Sequence, residues 1–107
     1  MEIRQYQIVL VNLDPTIGRE IRKTRPCVVI SPNEMNDFLQ TVIIAPMTSV
    51  IKNYPTRVPV RHNKRNGSIV LDQIRTVDRR RLIKAYKCLT AKEVLVIKSV
   101  LQEMFVL

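Results

Sequence analysis

Up to residue 89 the apolar residues of this chain come in short, β-branched runs cut by turn signals, and after it they recur at helical spacing. Ile8-Val9-Leu10-Val11-Asn12-Leu13 is the first run and stops at Asp14-Pro15. Residues 14–24 read as a charged loop holding Gly18. Residues 26–31 read as a second strand, and the unbroken Cys27-Val28-Val29-Ile30 implies burial on both faces. Pro32 to Phe38 form a connector with room for one helical turn, and residues 41–46 a third strand. A mobile loop is expected through Val50-Ile51-Lys52-Asn53-Tyr54-Pro55. Thr56 to Arg61 alternate in period two, and Pro59, which has no N–H for a ladder, predicts an edge strand. Residues 62–67 read as a hairpin loop, Ser68 to Leu71 as a fifth strand and Leu82 to Leu89 as a sixth. Thr90-Ala91-Lys92-Glu93 then fits a capping box. Val94, Ile97, Leu101, Met104 and Phe105 follow as a core-facing stripe that Val96 and Val100 widen. Five or six antiparallel strands and a C-terminal helix predict a mainly β fold, a small bent barrel capped by the helix.

At 107 residues, 46% of them hydrophobic, the chain suits one domain over 1–107 with one core, without linker or internal repeat. Eighteen Lys and Arg against nine Asp and Glu give a net charge of +9. The excess is lopsided: residues 1–54 hold six basic and five acidic side chains, residues 55–107 twelve and four. Such a balance favours a polyanionic partner over a merely solvated face. Met1 to Tyr6 lack a signal-peptide pattern, and no apolar run approaches the roughly 20 residues that span a bilayer. A cytoplasmic protein without a membrane partner is expected. Cys27 and Cys88 are far apart in apolar contexts and are expected to be buried and reduced. No Cys/His ligand spacing supports a metal, and no cofactor is expected.

Polar groups cluster at the strand ends, where a rigid sheet presents side chains to a ligand. Arg25-Pro26 opens the second strand, Pro46-Met47-Thr48-Ser49 closes the third, and Asp72-Gln73-Ile74-Arg75-Thr76-Val77-Asp78 follows the fifth. Arginine matches two phosphate oxygens with its planar fork, and a hydroxyl adds one more donor to the same oxyanion. Asp72 is a candidate base or an ion-pair partner for Arg25 or Arg75. Gln73 suits base edges or the loop, and Arg75 suits phosphate or Asp78. Tyr54 is the aromatic best placed for base stacking. His62, the only histidine, lies in a basic loop with no obvious partner and reads as an ordinary loop residue.

The order of these elements, together with Asn12-Leu13-Asp14-Pro15-Thr16-Ile17-Gly18-Arg19-Glu20, resembles the MazF/PemK family of toxin endoribonucleases over nearly the whole chain. The resemblance implies an SH3-like barrel of the PemK/CcdB type and a symmetric homodimer. It implies metal-independent cleavage of single-stranded RNA at selected sequences by the 2′-OH, leaving a 2′,3′-cyclic phosphate and a 5′-OH. Arg25 looks like the family's catalytic arginine, and Thr48 is similar to the threonine of its Pro-x-Thr-Ser element. Arg19, Glu20, Ser49, Tyr54, Asp72, Gln73 and Arg75 are then the expected substrate contacts. In part of the family an arginine two residues before the acid at position 72 acts with it, and here that position is Val70. Arg19 stands where some relatives carry histidine, and Lys23-Thr24 where a glycine usually precedes Arg-Pro. The pattern fits relatives that depend on the arginine and threonine. The implied partners are a small acidic, MazE-like antitoxin with a disordered tail and, for the complex, its promoter DNA. The alternatives are a non-enzymatic toxin on the same fold, of the gyrase-inhibitor type, and a nucleic-acid-binding barrel without activity.

Overall fold

The computed structural model describes residues 1–20 and 23–106. Among the described residues, seven strands and two α-helices follow in the order β1 (Gln7–Asn12), β2 (Thr24–Val29), α1 (Asn33–Phe38), β3 (Thr41–Thr48), β4 (Arg57–His62), β5 (Arg65–Val70), β6 (Arg75–Asp78), β7 (Leu82–Cys88) and α2 (Ala91–Phe105). The antiparallel sheet runs β4-β5-β3-β2-β1-β7, with β6 also on β3, and curls into a half-barrel. The mainly β expectation holds.

Strand β3 organises the sheet because one of its edges serves two partners. Thr41 to Ile44 pair with β6, and Met47 and Thr48 pair with β5. Pro46 falls between the two pairings, where a missing donor in a central strand costs least. Burial on both faces fixes the register. Cys27 and Val29 of β2, with Val42 and Ile44 of β3, enter one apolar cluster. Val28, Ala45 and Met47 enter the other, which β4, β5 and α2 cover. A slip of one residue would exchange the two sets.

The capping box of α2 is present: the Glu93 N–H donates to Thr90 Oγ1 at 3.2 Å, and the Thr90 N–H donates to Glu93 Oε1 at 2.9 Å. Ile97 is buried, with Val94, Val100, Leu101 and Met104 packed on the same cluster. Val96 and Phe105 differ from the expected stripe and are exposed, together with Leu95. Cys88 is likewise exposed, because it ends β7 on an outward position, whereas Cys27 is buried.

Two strands are longer or newer than the sequence suggests. The β4–β5 loop is only Asn63-Lys64, both with positive φ (51° and 62°), and His62 pairs with Arg65. Positive φ at both central residues matches the right-handed strand twist. Arg65-Asn66-Gly67 therefore belong to β5, where an exposed strand end tolerates polar side chains. Strand β6 went unread because Val77 is its only fully buried residue.

Gly67 marks a close approach between β5 and β3. A Cβ there would lie 2.5 Å from the carbonyl oxygen of Thr48, a backbone atom with nowhere to yield. Gly67→Ala is expected to cost about 1–3 kcal/mol by overpacking, read as a lower urea midpoint at unchanged slope. Thr90→Ala, which removes only the cap, is expected to cost about 1 kcal/mol in the same measurement.

Candidate active site

Strands β2 and β3 keep one register through Val29↔Ile44, Val28↔Ala45 and Cys27↔Pro46, and then separate. Two positions further on, the same register sets Arg25 opposite Thr48. By then Arg25 pairs with Val11 of β1, and Thr48 pairs with Ser68 of β5. The fork between them is a cavity of about 460 Å³ whose lining includes Arg25, Thr48, Ser49, His62, Arg65 and Gly67. Arg25 and Thr48 thus share one cavity.

Local bonds position both. Arg25 is half-buried, and Pro26 restricts the backbone beside it. Lys23, near the position where the family usually has glycine, adopts a left-handed φ of 69°. Its N–H donates to Asp14 Oδ1 at 2.9 Å, and its carbonyl accepts from the Leu13 N–H at 3.0 Å. Thr48 Oγ1 accepts from the Val50 N–H at 3.2 Å, the local turn bond typical of such a threonine. That bond uses a lone pair and leaves the O–H proton to donate.

A second cavity of about 250 Å³ lies beyond Pro46, lined by Leu13, Glu20, Pro46, Asp72, Gln73 and Arg75 with Ile74. Cys27 stands close to both sites: burial pushes its thiol up to about 12, although Arg75 and Arg25 both pull it down. The Arg75 Nη1–H donates to the Leu13 carbonyl at 3.3 Å. Glu20 Oε1 accepts from the Ile17 N–H at 2.8 Å within its own loop. Gln73 sits in the 3₁₀ turn Leu71–Gln73.

Asp72 departs from both expected pairings. Its Oδ1 accepts from Thr56 Oγ1–H at 2.9 Å and from Arg57 Nε–H at 3.3 Å. Burial pushes its carboxyl up, but the donations from Thr56, Arg57 and its own backbone more than offset this and leave it below the ordinary carboxylate value. Arg57 in turn lies over the Tyr54 ring, 5.1 Å from its centroid, and Lys52 Nζ lies at 5.7 Å. Tyr54 is half-exposed and lines neither cavity. Arg19 is exposed on the first loop and also lines neither. Asp78 pairs with Arg80, at 3.0 and 3.1 Å, rather than with Arg75. Residues three apart in a strand face opposite sides, which rules out the Arg75–Asp78 pair.

Five lining residues lie in the stretch read as a hairpin loop: His62, taken as an ordinary loop residue, with Asn63, Arg65, Asn66 and Gly67. Asn63, as a residue that tolerates left-handed φ, is the one local sign of a tight turn there.

The family model for the PemK-like, MazF-like toxin of type II toxin-antitoxin systems matches residues 4–105. Endoribonuclease MazF of Staphylococcus epidermidis is 36% identical over 86 residues, covering 75% of this chain and 72% of that protein. The crystal structure of MazF (Form-I) from Deinococcus radiodurans superposes with a TM-score of 0.87 at 24% identity, covering 100% of this chain and 99% of the other. An endoribonuclease in complex with its cognate antitoxin from a mycobacterial species has a TM-score of 0.80 at 19% identity, covering 94% and 92%. The chain belongs to the PemK/MazF family of toxins of type II toxin–antitoxin systems.

Proposed function

We propose that this toxin is a sequence-selective endoribonuclease that cleaves single-stranded RNA without a metal ion. The observation that carries the reading is the meeting of Arg25 and Thr48 in one cavity at the fork of β2 and β3. The RNA 2′-oxygen attacks the adjacent phosphorus and the bond to the 5′-oxygen breaks, leaving a 2′,3′-cyclic phosphate and a 5′-OH. Arg25 binds two phosphate oxygens and the charge that grows on them. The Thr48 O–H donates to the same oxyanion, and Ser49 extends the contact. No carboxylate lines this cavity among the described residues, so its donor set suits an anion better than a cation.

Glu20, Gln73 and Arg75 of the second cavity contact flanking nucleotides, and Arg19 and Tyr54 contact the strand as it leaves. Asp72 positions Arg57 and Thr56 and does not act as base. The acting form is a homodimer, a reading supported by exposed Ile83, Leu95, Val96 and Phe105. The inhibitor is a small acidic antitoxin whose disordered tail competes with RNA for the cationic surface, and the pair binds its promoter DNA. An mRNA substrate sets the site of action in the cytoplasm.

The test is cleavage of a long single-stranded RNA in EDTA, beside the matching DNA. Discrete fragments with 5′-OH ends are expected from RNA alone. Arg25→Ala is expected to lower kcat by about 10²–10³, the scale of one lost oxyanion donor. Intact RNA under conditions where the folded protein binds it would overturn the reading in favour of a non-enzymatic toxin. Asp72→Asn is expected to change kcat by about tenfold or less, as for loss of an exposed ion pair. A loss on the Arg25 scale would return Asp72 to the role of base.

A further inference from the structure

His62 ends β4 on the wall of the cavity that holds Arg25 and Thr48. Its ring packs edge-on against Tyr86, with centroids 5.0 Å apart and planes at 71°. The two-residue turn that follows it and its pairing with Arg65 hold its backbone in place. Both ring nitrogens are buried, and neither is hydrogen-bonded within the described residues. A buried polar group left unsatisfied is costly, and a turn of the ring on Tyr86 that brings a nitrogen to the cavity satisfies it once a donor enters. Unsatisfied groups of this kind collect at sites of function.

We propose that His62 is the proton-transfer residue of this cavity, a neutral imidazole that accepts the proton of the RNA 2′-hydroxyl beside the phosphate held by Arg25 and Thr48. The proposal rests on the endoribonuclease reading above. As the O2′–P bond forms, the proton passes to the ring nitrogen. The P–O5′ bond breaks, and the 5′-oxygen takes a proton from water. The imidazolium gives its proton to the resulting hydroxide, so no proton or water is consumed overall.

The surroundings favour the neutral, accepting form. Burial lowers the His62 pKa below its ordinary 6.5, and the Lys87 ammonium on β7 lowers it further. The other charged groups near it are Arg65 across the hairpin, Arg25 on β2, and Arg61 and Lys64 in its own hairpin, all cationic. Glu93 of α2 reaches this hairpin through the Arg61 N–H, which donates to its Oε2 at 3.4 Å. Tyr86 faces the ring and Lys84 lies over Tyr86, 5.2 Å from its centroid. A pKa lowered by folding means that the unfolded chain takes the proton more readily. His62 therefore takes stability away as pH falls below 6.5 and is silent above it.

With one histidine in the chain, a single imidazole C–H resonance reports its titration. It is expected to titrate below 6.5 in the free protein. It is expected to titrate higher when an oligonucleotide lacking the 2′-hydroxyl occupies the site, because bound phosphate favours the imidazolium. In parallel, kcat and KM on RNA are followed against pH for the wild type, His62→Gln and His62→Ala. The wild-type rate is expected to rise with pH along the His62 titration and level off near neutrality. Both variants are expected to lose about 100-fold or more in kcat with KM unchanged and the rising limb gone. Added imidazole is expected to restore part of the His62→Ala rate. A histidine that merely packs on Tyr86 would lower the melting temperature and leave the pH profile in place. Wild-type kcat and an intact limb in His62→Gln, or a histidine resonance blind to the oligonucleotide, would overturn the proposal. Wild-type protein that binds RNA and leaves it whole would instead remove the endoribonuclease reading, and this proposal with it.

Discussion

Strand β3 cannot be fully paired along both edges, and that constraint shapes the rest of the molecule. On one edge it leaves β6 after Ile44 and takes up β5 at Met47. On the other it holds β2 only as far as Pro46. Past that point β2 follows β1 and β3 follows β5, so the sheet splits and a cavity opens in the split. Residues opposed across a split sheet keep the facing of their register without the backbone bonds that would close the gap. Arg25 and Thr48 are such residues. Their opposition follows from the register, and the register is held because both faces of β2 are buried. Gly67 completes the arrangement by letting β5 lie against the Thr48 carbonyl. The tight β4–β5 turn then folds His62 and Arg65 onto the same opening.

The charge of the surface follows from how its acids are used. Asp72 is taken up by Thr56 and Arg57, and Asp78 by Arg80. Glu20 is turned to the Ile17 amide, and Glu93 to the cap of α2. Each of these carboxylates is held by a donor of the protein itself, and residues 55–107 keep twelve basic against four acidic side chains. Partly enclosed clefts strengthen such a field. In the reading proposed above, one surface property thus serves two polyanions, the RNA and the acidic tail that displaces it. Arg57 is an exception that serves order: its bond to Asp72 sets it over Tyr54, so the loop after β3 is tied to the 3₁₀ turn after β5.

The strand runs and the capping box were legible because each has a local signature, whereas Arg25 and Thr48 were marked by the family resemblance. Strands β1, β2 and β3 are almost wholly apolar, and Thr90 and Glu93 stand three apart before a helical stripe. What stayed hidden was polar structure. The first half of β5 is exposed, so Arg65-Asn66-Gly67 carry no alternation to mark a strand. Read as a loop, the same stretch gives no sign that His62 stands on a cavity wall. Strand β6 has one buried side chain, too few to show a period. The partners of Asp72 stayed hidden for a different reason. Its partners Thr56 and Arg57 lie 16 and 15 residues earlier, and no short-range rule connects them. Val96 and Phe105 satisfy the helical spacing well enough to be read as core, yet they lie at the margin of the stripe, and only the curvature of the sheet decides which margin is covered.

The Cys27↔Pro46 pair is where these threads meet. It is the last pair before the split, it stands between the two cavities, and it presents no charge to either. Pro46 has no N–H to donate, and burial keeps the Cys27 thiol protonated. An anionic side chain at position 27 would draw Arg25 and Arg75 to itself, because both guanidiniums already favour negative charge on that sulfur. Arg25 lines one of the two cavities and Arg75 the other. In the proposed reaction that division separates tasks: the cavity with Arg25, Thr48 and His62 acts on the phosphate, and the cavity with Glu20, Gln73 and Arg75 reads what lies next to it. In that reading the apolar pair that ends the ladder also sets chemistry apart from selection.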